Sequence, residues 1–185
     1  VYTWNDIRRD DYDVDYQNYY TFLGVLPQRE LFVSTANALL KAGDKKRALK
    51  ILDKCQESMP ENVWPLDAIP LGFSTNDYMV VNMVSAYFAA GAPEKAAELG
   101  AKLGKELLAS AHFYMEYYEY AQDEFEKSCQ FLYFLVDELE KGGDKKVSAE
   151  LKHSLVTLLR AGAEAYDQDY GNEADSTVAE DTSAK

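Results

Sequence analysis

AGDKKRALKILDKCQESMP, residues 42–60, comes back in altered form twice, as AGAPEKAAELG at 90–100 and as KGGDKKVSAELK at 141–152. Each copy pairs a Gly that can take left-handed backbone with a residue suited to open a new helix. In the first copy Gly43 ends the helix before it, and the Asp44 carboxylate can cap the helix after it. That second helix carries Ala48, Leu49, Ile51, Leu52 and Cys55 at helical spacing, and Met59-Pro60 stops it. Upstream, Pro27 suits a first helical turn, where its missing N–H costs nothing. Leu31, Phe32, Thr35, Ala36, Leu39 and Leu40 then mark one apolar face. The stretch therefore predicts two helices folded back on each other, and an all-α chain.

The spacings fit the tetratricopeptide pattern, which alternates small residues at helix crossings with bulky ones that fill the remaining volume. The template positions read Phe32, Thr35, Ala36, Leu39, Ala48, Leu52 and Pro60, and Cys55 takes a further slot for a small buried side chain. Shifted by 48 residues, the frame gives Val80, Met83, Val84, Tyr87 and Ala96, then Gly100 where a bulky residue belongs. Shifted by 100, it gives Leu132, Leu135, Val136 and Leu139, then Ser148 and Lys152 in place of the small and bulky pair. ENVWPLDAIPLGFST (61–75) interrupts the usual spacing, and Pro65 and Pro70 break any helix there. The run KELLASAHFYMEYYEYAQDEFEKS predicts lengthened helix between the second and third frames. The expected fold is all-α: irregular tetratricopeptide-like helical hairpins stacked in one compact array over 27–167. A Tyr/Asp-rich lead-in at 1–26 can form one short helix through Tyr16, Tyr19, Tyr20 and Leu23. Residues 168–185, polar and without period, predict a disordered acidic tail.

A net charge of −13 argues against nucleic acid and anionic membrane surfaces as partners, because both need clustered Lys and Arg. Cys55 and Cys129 lack metal-ligand spacing, so they read as two buried thiols or as one long-range disulfide. No apolar run is long enough to span a bilayer, and the opening at Val1 predicts a piece of a larger protein.

Candidate chemistry is sparse, and neither cofactor nor metal is expected. Asp11, Asp13 and Asp15 begin a calcium-loop pattern, but Tyr16 stands where Gly is needed and Phe22 where a bidentate Glu is needed. His112 and His153 have no nucleophile at readable spacing, and no phosphate-cradling Gly loop or zinc-protease motif occurs. The Tyr-rich run HFYMEYYEYAQDEFE (112–126) offers Tyr114, Tyr117, Tyr118 and Glu116 as a candidate sugar site. The same aromatics also fit a helical core stripe. Tetratricopeptide contact slots map onto Glu30, Val33, Asn37, Leu40 and Lys41 in the first hairpin, and onto Tyr78, Val81, Ser85 and Phe88 in the second. Asn37 and Lys41 resemble half of a peptide-carboxylate clamp, whereas Val33 stands where that clamp has Lys.

FVSTANALLKAGDKKRALKILDKCQESMPE, followed by VSAYFAAGAPEKAAEL, resembles the soluble C-terminal region of large bacterial multi-pass membrane proteins related to protein O-mannosyltransferases. The resemblance covers residues 28–165. It implies a membrane-embedded glycosyltransferase-like part before Val1, an extracytoplasmic or periplasmic setting, and catalytic residues outside this chain. That setting would permit a Cys55–Cys129 bridge. The expected function is non-catalytic protein interaction or scaffolding with a protein or peptide partner, and the alternative is recognition of a carbohydrate or acceptor substrate.

Overall fold

The computed structural model describes the backbone of residues 26–72 and 74–180, and the side chains of 27–72 and 75–166. The lead-in helix and the Asp11–Asp15 run lie outside the described residues. Among the described residues six α-helices follow one another: α1 (Leu26–Lys41), α2 (Lys45–Ser58), α3 (Ser74–Ala90), α4 (Pro93–Glu116), α5 (Tyr118–Gly142) and α6 (Lys145–Glu180). No strand occurs among the described residues, and a single 3-10 turn at Ile69–Leu71 interrupts the crossover from α2 to α3.

The three quoted turns adopt one geometry. Gly43, Gly91 and Gly143 have φ of 80°, 84° and 89°, a region open to Gly and strained for most other residues. In each, the Gly N–H bonds to the carbonyl three residues back and the next N–H to the carbonyl five back. These pairs are Gly43 to Leu40 and Asp44 to Leu39, Gly91 to Phe88 and Ala92 to Tyr87, and Gly143 to Glu140 and Asp144 to Leu139. All the bonds fall between 2.9 and 3.1 Å, and they satisfy carbonyls that a helix end would otherwise orphan. Asp44 and Asp144 then cap the following helices through backbone N–H groups at 2.9–3.0 Å. The arginine amide at Arg47 and that residue's side chain hold the exposed Asp44 carboxyl below the usual aspartate range.

Consecutive helices pack on one another throughout, most extensively α4 on α5. α3 lies against both α1 and α2, while α5 lies against both α3 and α4, and α6 closes on α4. One continuous core results, with Ala36, Ala48, Leu52, Tyr87, Leu103, Leu132 and Leu139 buried in it. Tyr87 ties three helices together. Its hydroxyl accepts from Gln56 Nε2 at 2.6 Å and donates to Asp53 Oδ1 at 3.2 Å, and Lys95 meets the same carboxylate at 2.6 Å.

Gly100, which breaks the second frame, has a physical reason. It is buried, and a Cβ built on it would lie 2.9 Å from a Leu139 methyl. A Cβ on Gly104, one turn on, would lie 2.6 Å from Leu151. The volume that a bulky side chain would fill is supplied by leucines from α5 and α6. Ser148 keeps its slot by turning its hydroxyl back onto the Asp144 carbonyl at 2.5 Å. Lys152 is exposed and pairs with Glu140 at 2.7 Å.

Three features go beyond the sequence reading. The lengthened run between frames is cut at Tyr117 (φ −121°, ψ 33°), and Ala121 inside α5 is non-helical as well. No Gly or Pro marks this corner. It is packed from both sides, by buried Tyr114 before it and by buried Tyr118, whose ring lies 5.5 Å from Phe125, after it. The crossover 59–72, which interrupts the repeat spacing, packs into the core, with Val63, Trp64, Leu66, Ala68 and Ile69 all buried. Finally, the backbone of α6 continues as helix to Glu180. Ala and Glu in its last turns favour helix without any apolar period.

Ala48 has no exposed surface at the α1–α2 crossing. Ala48→Leu is expected to lower unfolding free energy by about 1–3 kcal/mol in urea titration, through overpacking. Ala38→Leu, on the exposed face of α1, is expected to change it by less than about 0.5 kcal/mol.

Candidate functional site

The densest polar arrangement among the described residues lies where the crossover meets α1, α3 and α4. Leu66, Asp67, Ala68 and Ile69 present four successive backbone N–H groups to carboxyls. Glu106 Oε2 takes the Leu66 and Asp67 amides at 2.8 and 2.9 Å. Asp77 takes that of Ala68 at 3.3 Å, and Asp67 Oδ1 that of Ile69 at 2.9 Å. Ser110 donates its hydroxyl to Asp67 Oδ2. On the other side Asn76 donates Nδ2 to the Leu66 carbonyl at 2.6 Å and accepts from Arg29 Nη1 at 2.5 Å. Arg29 is only 3% exposed and also reaches the Pro65 carbonyl at 3.5 Å. A backbone without regular ladder partners can be buried only if other groups satisfy it, and these side chains do so.

The electrostatics follow from burial. Asp77 has no exposed surface and shares a hydrogen bond with the Asp67 carboxyl. Desolvation, then the neighbouring Asp67 charge, push Asp77 up to about 9, so it holds a proton at neutral pH. Burial also raises Glu106, against the lowering effect of the two amides it accepts. Such a pair can store a proton, but every group in it is engaged with crossover backbone or with another member. Cys55 and Cys129 are free, buried thiols, both pushed up to about 11 by desolvation. That keeps them as thiols, the unreactive form.

Beside this clamp a cleft of about 250 Å3 opens between α2, the crossover and α3–α4. Met59, Leu66 and Met83 supply its apolar surface, while Gln56, Asn62 and Lys102 supply polar groups. Lys102 is held by Glu61 and Glu98 at 3.0 Å each, which raises its pKa.

The sequence-predicted residues fall into two sets. Glu30, Lys41 and Tyr78 are exposed, and Asn37, Leu40, Ser85 and Phe88 are half-buried. Val33 and Val81 are core residues, so the slots read as groove-lining at these two positions are filled by packing instead. A Cβ added at Gly142 would run into the Phe88 ring, which places Phe88 against the third hairpin. Of the four candidates in the Tyr-rich run, Tyr114 and Tyr118 are buried, and Tyr117 and Glu116 face solvent. Phe113, absent from the sequence reading, is exposed beside Tyr117 with ring centroids 5.0 Å apart, and Tyr120 is exposed as well. Arg29, Asp67, Asn76, Asp77, Glu106 and Ser110 also escaped the sequence reading. Their only local signal is polar residues at positions facing a proline-broken apolar segment.

Among the described residues no group of three or more His, Cys, Asp or Glu is arranged to hold a metal, and no helix is long and apolar enough to cross a membrane. No family model, curated protein or solved structure matches the chain.

From the ordinary aspartate range up to about pH 9, folded Asp77 holds a proton that the unfolded chain has released. Its contribution to stability is therefore complete at acid pH and is lost as pH rises toward about 9. Asp77→Asn keeps the shape, can still donate to Asp67 and needs no proton. Urea titrations between about pH 5 and pH 9 should show the parent losing stability relative to the variant, at no more than about 1.4 kcal/mol per pH unit. Parallel curves would show that Asp77 is ionised in the fold.

Proposed function

We propose that this domain is a non-catalytic protein-interaction or scaffolding module built from tetratricopeptide-like hairpins. The observation that carries the reading is the threefold turn: Gly43, Gly91 and Gly143 share one hydrogen-bond pattern, and each joins two helices that pack on each other. A small stack of this kind presents the first helix of each hairpin along one side, and shape there selects a partner. On that side Glu30, Lys41 and Tyr78 are exposed, with Asn37 and Ser85 half-buried between buried valines. The polar groups that come together elsewhere spend their hydrogen bonds on the crossover backbone, a use that fits a structural role better than proton transfer.

On the resemblance of residues 28–165, the module would follow a membrane-embedded glycosyltransferase-like part and lie outside the cytoplasm. The chain would then hold or position a protein partner, with the chemistry carried upstream. The second reading, recognition of carbohydrate, rests on Phe113, Tyr117 and Tyr120. They are exposed aromatics beside Glu116 and Glu119, and such rings can stack on sugar faces.

A photo-crosslinking residue at Tyr78 should trap one defined protein, and the same residue at exposed Lys50 on α2 should not. Equal trapping at both positions would contradict an interaction face on the first helices. On a glycan array the domain should stay unbound; binding that Tyr117→Ala abolishes would favour the carbohydrate reading.

A further inference from the structure

α6 carries two apolar stripes at the same heptad spacing, and the stack uses one of them. Leu151, Leu155, Leu158 and Gly162 are buried against α4 and α5, where a Cβ on Gly162 would lie 2.6 Å from the Phe125 ring. One residue further along, Lys152, Val156, Leu159, Ala163 and Tyr166 are all exposed, with Leu159 51% open to water. This second stripe repeats every three and four residues, the spacing by which one helix seats another. It extends onto α5. Lys152 meets Glu140 at 2.7 Å across the hairpin, and seven residues from that pair on each helix stand Leu159 and Tyr133, the latter 60% exposed. Exposed apolar residues gathered on one face mark an interaction surface, whereas scattered ones do not.

The charge along α6 says what covers this face. Residues 145–160 carry four cations (Lys145, Lys146, Lys152 and Arg160) and one carboxylate, Glu150, whereas 161–180 carry six acidic residues and no Lys or Arg. Lys152 is committed to Glu140, but exposed Lys145, Lys146 and Arg160 hold no ion pair with any described residue. The sign changes between Arg160 and Ala161, at the middle of the apolar run Val156–Tyr166. Turned end over end, the helix is complementary to itself. We propose that a second copy of this chain covers the face, with α6 antiparallel to α6 about a two-fold axis near Ala161. Leu159 of each copy then faces Ala163 of the other, and Val156 faces Tyr166. The basic first half of each helix lies along the acidic second half of the other, whereas a parallel pairing would set like charges together. Such a pairing uses one patch on both copies, so two copies close it. The face belongs to the last hairpin, while Glu30, Lys41 and Tyr78 belong to the first two and stay open to a different partner.

Sedimentation of the whole chain over about 2–200 µM should show monomer giving way to dimer, with a Kd of about 10–100 µM. Leu159→Glu, at a side chain exposed in the single copy, should weaken the dimer at least about tenfold, while its melting temperature at about 2 µM stays that of the parent. Arg160→Glu should weaken the dimer severalfold, and Tyr78→Ala should leave it unchanged. Orientation is read from spin labels on Ala149→Cys, since Cys55 and Cys129 are buried. About twelve residues from the axis at a rise of 1.5 Å each, the two labelled positions stand roughly 36 Å apart in the antiparallel dimer and side by side in a parallel one. The proposal is overturned by a chain that stays monomeric at about 200 µM, by Leu159→Glu dimerising like the parent, or by a label separation under about 20 Å. A monomer here leaves the trapping at Tyr78 untouched, and failed trapping leaves the dimer untouched, so the two readings stand or fall separately.

Discussion

Leu139 and Leu151 insert into a notch that Gly100 and Gly104 cut in α4, and the arrangement of the second and third hairpins depends on that contact. α4 touches α3, α5 and α6, so it is the helix from which the stack is organised. Its inner face alternates Leu99, Leu103 and Leu107 with Ala96, Gly100, Gly104 and Ala111, all of them buried. Ridges of leucine and gaps of small residues let neighbouring helices approach closely, and dispersion contacts accumulate with that closeness. Glycine inside a helix costs about 1 kcal/mol relative to alanine. Two of them four residues apart are worth that cost only where another helix occupies the space.

A second constraint follows from the first. Once the hairpins are this close, the chain must cross from α2 to α3 over a buried surface, and the crossover has to bury its own backbone. Arg29, Asn76, Asp77 and Glu106, from three different helices, take up its amides and carbonyls, and Ser110 holds the Asp67 carboxylate. The result is a carboxyl pair that holds a proton and a rigid wall for the neighbouring cleft. Polar chemistry that in isolation resembles an acid–base site is thus explained by a folding requirement.

Much of the fold was legible because it is local. Gly43 and Asp44 announce a turn, and the apolar spacing of Ala48, Leu52 and Cys55 announces the face that follows. The two shifted frames locate Tyr87, Ala96, Leu135 and Leu139, all buried in the core. The rest was illegible because its causes are distant in sequence. Gly100 reads as a defect until Leu139 is seen to fill its space, and the corner at Tyr117 is made by aromatic packing without a breaker residue. Trp64 sits in a proline-rich segment that looks like an insertion, yet is 2% exposed. Of the candidate site positions, Lys41, Tyr78 and Tyr117 are exposed, whereas Val33, Val81, Tyr114 and Tyr118 lie in the core, because one spacing serves both a groove and a core.

The central claim is that leucines from the third hairpin fill the glycine notch of the second. Nuclear Overhauser spectroscopy on leucine-methyl-labelled protein reads this directly. The account predicts cross-peaks from Gly104 Hα to the Leu151 methyls and from Gly100 Hα to the Leu139 methyls. If both glycines instead gave cross-peaks only to residues of the first hairpin or to water, the stacking described here would be contradicted.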